Sequence, residues 1–197
     1  MSDSPLLRFL VRKRTTFTWI VPILLLIATF LRGRWNPVEY AVGLALLVLG
    51  EVVRFWAAGT IHKDDAIATS GPYALVRNPL YLGSLFLAIG FAVMSGLGWV
   101  AWVTVLALFF VFHLAAIISE EGFLRGKFGA PYEAYLRSTP RLIPLPRFGR
   151  REPGGEPVSY SMRQALYNRE HTTALVTFAT AAVFAAVLLV RRGHAGY

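Results

Sequence analysis

The sequence predicts an all-α, polytopic membrane protein: a bundle of about five transmembrane helices with a polar lid on its cytoplasmic face. Three observations carry this. Hydrophobic residues fill 55% of the 197 positions and charged residues only 16%, whereas a soluble domain of this length carries about 25% charge. The charge is missing from stretches long enough to cross a bilayer and crowded between them. That excludes a soluble globule, and such apolar and aromatic content excludes a disordered chain. The net charge of +9 sits beside the apolar runs, as Arg12-Lys13-Arg14, Arg32 with Arg34, and Arg191-Arg192. Cations so placed meet anionic headgroups, so membrane lipids and not nucleic acid are the expected partners. There is no cysteine, hence no disulfide framework, thiolate metal site or cysteine nucleophile, and no metal is expected. The length suits one membrane domain over residues 1–197.

The elements follow in order. Phe17 to Leu31 is apolar and preceded by three cations; no small-residue cleavage site follows, so it reads as a span and not a signal peptide. Pro37 to about Ala58 is the second span, with proline in its first turn and Glu51 and Arg54 on one face near its end. Leu80 to Met94 is the third, short and glycine-containing. The turn Ser95-Gly96-Leu97-Gly98 is so tight that the third and fourth spans form an antiparallel hairpin. The fourth, Trp99 to Ile118, supplies about the ~20 residues a bilayer requires. Beyond it the chain turns polar, basic and proline-rich. Within that stretch Glu120 to Arg137 reads as an interfacial amphipathic helix, interrupted near Gly129-Ala130-Pro131, with Phe123, Leu124, Phe128, Tyr132, Tyr135 and Leu136 as its apolar positions. Gly149 to Pro157 is a linker, and Thr172 to Val190 is the fifth span.

With a cytoplasmic N-terminus, fifteen Lys and Arg residues fall on that side and four on the other. The positive-inside rule favours this orientation, that of a multi-pass protein of a bacterial inner membrane. The polar segments 59–79 and 119–171 then face one compartment.

Those segments hold the candidate chemistry. Pro79 disfavours helix at Asn78 and opens the third span, which holds Arg77 just outside a helix N-terminus. A guanidinium beside free amides receives a carboxylate or phosphate; the alternative is an arginine snorkelling to headgroups. Glu120 and Glu121 close the fourth span. Being adjacent they point about 100° apart, so one can face inward, towards a cationic ligand or an arginine, while the other is solvated. His113, seven residues before Glu120, lies on nearly the same face; a core histidine without a functional role is the plain alternative. Walker A, Gly-x-Gly-x-x-Gly, His-Glu-x-x-His, Gly-x-Ser-x-Gly and EF-hand signatures are all absent. Nor do the spans show the inverted repeat of a transporter.

Several of these residues fall into a recognisable order. Gly71-Pro72-Tyr73, then Arg77-Asn78-Pro79-Leu80-Tyr81-Leu82-Gly83, then Glu120-Glu121 with Leu124, Phe128-Gly129, Tyr132 and Tyr135, and finally Pro140-Arg141-Leu142-Ile143-Pro144 resemble the integral membrane methyltransferases, a superfamily including isoprenylcysteine carboxyl methyltransferases and phospholipid methyltransferases. The resemblance covers roughly residues 40–145; residues 146–197 add the linker, an interfacial segment and the last span. One departure stands out: the family pattern has His after the arginine, and here Asn78 keeps a donor and an acceptor but does not titrate.

The resemblance implies S-adenosylmethionine as cofactor, held by a cytoplasmic lid between the two polar segments. Gly71, Tyr73, Arg77, Asn78, Pro79, Tyr81, Glu120, Glu121, Leu142 and Pro144 are then its expected neighbours. Arg77 suits the methionine carboxylate, Glu120 or Glu121 the ammonium, and Tyr73, Tyr81 and the Leu142-Ile143-Pro144 stretch the adenosine. The implied reaction is methyl transfer to a lipophilic acceptor entering from the bilayer, led by an isoprenylcysteine-like carboxylate, with a phospholipid amine as the alternative. A non-catalytic lipid-binding or scaffold protein is the rival of another class. Before the fifth span, Arg169 suits an anionic headgroup, while Glu170, His171 or His113 can position or deprotonate an acceptor; an interfacial cap and anchor is the plain alternative there.

Overall fold

The computed structural model describes residues 5–61, 67–144 and 159–195, all helix and connecting turn with no strand among them. The His62-Lys63-Asp64-Asp65 stretch and the Gly149–Pro157 linker lie outside the described residues. Among the described residues eight helices follow in order: α1 Pro5–Arg32, α2 Pro37–Thr60, α3 Pro72–Leu75, α4 Pro79–Met94, α5 Trp99–Phe128, α6 Ala130–Ser138, α7 Met162–Tyr167 and α8 Glu170–Ala195.

The sequence punctuates itself where these helices begin and end. Asn36 caps α2, its Oδ1 accepting from Val38 N at 3.0 Å and Glu39 N at 3.3 Å, with Pro37 in the first turn. Asn78-Pro79 opens α4. Gly96 and Gly98, at φ +65 and +78, make the turn between α4 and α5 that side chains would strain. Gly129, at φ +60, separates α5 from α6 where the sequence placed an interruption. Two boundaries differ from the sequence reading: α1 begins at Pro5, well ahead of Phe17, and α5 ends later. No break falls at Ile118: α5 runs on to Phe128, because nothing between Ile118 and Gly129 stops a helix, and the change of composition marks only where it leaves the apolar layer.

Among the described residues three helices are long and apolar enough to cross a membrane, Pro37–Thr60, Trp99–Phe128 and Glu170–Gly193, and the shorter apolar helices Ile20–Arg32 and Pro79–Met94 pack with them. This is an all-α membrane bundle. Its core joins Leu25, Leu47, Phe91, Ala92, Met94, Val105, Ala181 and Phe184, contributed by all five. The closest packing is between α2 and α4. A Cβ on Gly43 would stand 2.6 Å from the Gly90 carbonyl oxygen, and one on Gly50 would stand 2.8 Å from that of Gly83. Small residues are how membrane helices bring backbones this close.

The two ends of the bundle differ. At one end Arg34 N donates to Gly96 O at 3.1 Å and Arg191 Nε to Gly33 O at 2.9 Å. At the other end the polar segments on either side of α4 and α5 come together.

Candidate functional site

Glu121 organises that polar end. It leaves α5 pointing inward, only 7% exposed, while Glu120 points out to the exposed side; this settles which of the adjacent carboxylates is buried. Arg141 holds Glu121 from the segment after α6, Nη2 to Oε2 at 2.8 Å and Nε to Oε2 at 3.1 Å. Arg77 Nε stands 3.1 Å from Glu121 Oε1 as an ion pair, without the alignment of a hydrogen bond. Asn78 Nδ2 donates to the same Oε1 at 3.3 Å and to the Arg141 carbonyl oxygen at 3.0 Å. Two guanidiniums thus share one carboxylate.

The backbone follows the charges. Arg77 N donates to Pro140 O at 2.8 Å, and Arg77 Nη1 to Leu136 O at 2.6 Å. Tyr135 OH donates to Tyr73 O at 2.7 Å. The two motif halves, some forty residues or more apart in sequence, therefore form one structure. It is buried enough that breaking the ion cluster would leave charge stranded in low dielectric.

Beside the cluster, Tyr81 OH donates to Glu120 Oε2 at 3.1 Å, and the Tyr81 ring meets His113 edge-on at 5.8 Å. His113 stacks on Phe109 at 4.0 Å with Nδ1 at 3.1 Å from the Phe109 carbonyl oxygen. His113, Tyr81 and Glu120 thus form one line along the α4–α5 face. Gly71, at φ +58, has the side chains of Thr60 and Trp56 at 3.4 Å from a would-be Cβ. Pro79 is buried, Leu142 half-buried, and Pro144 exposed.

Three tyrosines are held neutral. Burial pushes Tyr132 up to about 12, with the Glu121 charge adding and Arg77 opposing. Burial raises Tyr135 as well. Tyr73 is raised first by burial, then by the charges of both Glu120 and Glu170, so it stands within electrostatic reach of α5 and α8 at once. Its hydroxyl is buried without a hydrogen-bond partner, as is Arg77 Nε.

The stretch before α8 docks on the end of α2. Asn168 Nδ2 donates to Ala58 O at 2.7 Å, and Ser161 N donates to Gly59 O at 2.9 Å. Glu170, 4% exposed, receives Arg54 Nε at 2.6 Å, while Arg54 Nη1 donates to Ser84 Oγ at 2.6 Å. Arg169 occupies the turn at φ +60, and its side chain and that of His171 are exposed. Arg54, Arg141 and the Tyr135 hydroxyl are site-building groups that sequence reasoning did not single out as such. Arg54 carried a signal, an arginine inside an apolar span; Arg141 lay within a quoted motif.

The family model for phospholipid methyltransferase matches residues 38–131. A cobalt-zinc-cadmium resistance protein, CzcN, of Cupriavidus metallidurans is 34% identical over 69% of this chain and 66% of its own length. A probable protein-S-isoprenylcysteine O-methyltransferase of Oryza sativa subsp. indica is 38% identical over 53% of this chain and 60% of its own. The protein-S-isoprenylcysteine O-methyltransferase of Schizosaccharomyces pombe is 31% identical over 54% and 45%. The chain therefore spans less than two thirds of the length of these relatives. No solved structure matches it.

Proposed function

We propose that this chain, which belongs to the superfamily of integral membrane methyltransferases that contains the isoprenylcysteine and phospholipid enzymes, moves a methyl group from S-adenosylmethionine to a lipophilic acceptor at the cytoplasmic face of the membrane. The single observation that carries this is the charge pattern around Glu121. Arg77 and Arg141 share one buried carboxylate, which leaves an excess positive charge, while the adjacent Glu120 is exposed and accepts from Tyr81. A zwitterionic methionine moiety complements both, its carboxylate beside the two arginines and its ammonium at Glu120. The buried Tyr73 hydroxyl, without a hydrogen-bond partner, is a further polar group for such a ligand to satisfy, so the residues fit the cofactor.

When bound, the cofactor supplies a methyl carbon on a sulfonium, open to direct displacement by the acceptor. The protein then needs no nucleophile of its own. Arg77, Arg141, Glu120 and Tyr81 bind and orient, and the neutral Tyr73, Tyr132 and Tyr135 wall the site without adding charge. The acceptor classes ask for different help. A carboxylate, the acceptor that the order of motifs favours, is already anionic and wants a cation, the part we assign to exposed Arg169. An amine must lose a proton, and His113 beside Tyr81 is placed to take it. Glu170 would first have to release Arg54, so we give it the role of holding α2 to α8.

Calorimetry with S-adenosylmethionine on purified protein tests the cofactor reading. Glu120 is exposed, so Glu120→Gln should leave thermal stability intact and weaken binding about tenfold or more, the value of a charge-assisted contact. Unchanged affinity in Glu120→Gln and in a folded Arg77→Lys protein would remove the assignment.

A further inference from the structure

Three charged side chains meet where α2 faces α4 and α8: Glu51 and Arg54 of α2, and Glu170 at the start of α8. Arg54 answers Glu170, Nε to Oε1 at 2.6 Å, and donates from Nη1 to Ser84 Oγ of α4 at 2.6 Å. Glu51, only 4% exposed, has neither carboxylate oxygen in a hydrogen bond. It precedes Arg54 by three residues, the spacing at which a carboxylate and a guanidinium on one helix face meet. It also feels the charges of both Arg54 and Glu170. Thr177 of α8 adjoins it, but no bond of good geometry joins them. Two buried carboxylates therefore compete for one guanidinium, and only Glu170 holds it.

The two differ in what each has when left alone. Glu170 opens α8, where unpaired N–H groups and the positive end of the helix dipole favour a carboxylate. Its neighbours Arg169 and His171 are exposed, so it lies close to water. Glu51 lies in the body of a helix long and apolar enough to cross a membrane, where a carboxylate without partners is costly. Ser84 favours the arrangement seen, by holding Arg54 towards α4. The cost of stranding Glu51 opposes it. These opposing terms bring two positions of Arg54 close in free energy, the condition for a bistable element. A fixed ion pair would need Glu170 alone, and the second carboxylate would only destabilise it.

We propose that Arg54 is a two-position latch, exchanging from Glu170 to Glu51 and so freeing the start of α8 from α2 while the guanidinium keeps a counter-ion. Both positions pair one carboxylate and leave one unpaired, so the exchange changes no net charge and never strands the arginine. It unfastens the α2–α8 seam at the polar end and presents an unpaired Glu170 carboxylate there. The inference does not rest on the methyl-transfer reading, since no residue of the Glu121 cluster takes part in it.

A double-mutant cycle on the full chain in phosphatidylcholine nanodiscs tests this. Glu170→Gln should melt within roughly 3 °C of wild type, because Glu51 takes over the guanidinium. Glu51→Gln should melt at or above wild type. The double variant, which leaves Arg54 buried without a counter-ion, should fall by about 10 °C or more, well beyond the sum. The Arg54 Nε–H resonance, in protein carrying nitrogen-labelled arginine and assigned by its loss in Arg54→Lys, gives a second readout. It should exchange between two positions in the wild type, with only the first in Glu51→Gln and only the second in Glu170→Gln. Additive losses overturn the proposal, as does a Glu170→Gln protein that fails to fold or melts as low as the double variant. So does a wild-type Arg54 resonance without exchange, the signature of a fixed ion pair.

Discussion

Glu121 divides one negative charge between Arg77 and Arg141 and also receives Asn78. Neutralising it leaves two guanidiniums facing each other around an amide. Glu121→Gln should therefore cost about 3 kcal/mol or more, read as a lowered melting temperature in detergent, whereas Glu120→Gln should leave that temperature in place. A loss in Glu120→Gln as large as in Glu121→Gln would mean the exposed carboxylate is structural. Asn78 has a plain reason to be where it is: it bridges Glu121 and the Arg141 carbonyl oxygen, work that needs a donor and no titration. The tyrosines add a pH dependence. Tyr132 titrates near 10.0 when unfolded and at about 12 in place. Between those values the native state binds more protons than the unfolded chain, so stability is full below pH 10 and falls as pH rises through the window. Tyr132→Phe should lessen that alkaline loss in a melting series without removing it, since burial raises Tyr73 and Tyr135 as well. An unchanged slope would show that another group governs it.

At the scale of elements, α2 and α4 are held by glycines at matched depth, Gly43 against Gly90 and Gly50 against Gly83. Gly50→Leu has no room and should cost about 2 kcal/mol through displaced backbone. It should also loosen the polar end, because Arg54 of α2 holds Ser84 of α4 and Glu170 of α8. Unchanged melting of Gly50→Leu would contradict the packing. The helices themselves were legible in the sequence because apolar length, Asn-Pro starts and glycine turns are local signals. Which carboxylate faced inward was not, since that depends on how α5 rotates against α4. Nor was the partnership of Arg54 with Glu170, which closes across a separation of 116 residues that no local pattern encodes. The end of α5 was misplaced for a related reason: composition reports the surroundings of a helix, not its hydrogen bonds.

For the whole molecule, the bundle gathers Arg77, Glu120, Glu121 and the start of α8 at one end and the Gly33, Gly96 and Arg191 contacts at the other. Single cysteines at Tyr167 and at Gly129 should therefore label from one side of sealed vesicles and one at Arg192 from the other, the first two from the cytoplasm if the basic residues set orientation. Labelling of Tyr167 and Gly129 positions from opposite sides would break the bundle as described. The central claim is chemical. Incubating the purified protein with S-adenosylmethionine labelled in its methyl group and a membrane lipid extract, then counting label in the apolar phase, tests it most directly. The account predicts a labelled lipophilic product that falls sharply in Glu120→Gln, with protein that melts normally. Folded wild-type protein that leaves the apolar phase unlabelled would contradict it and favour a lipid-binding scaffold.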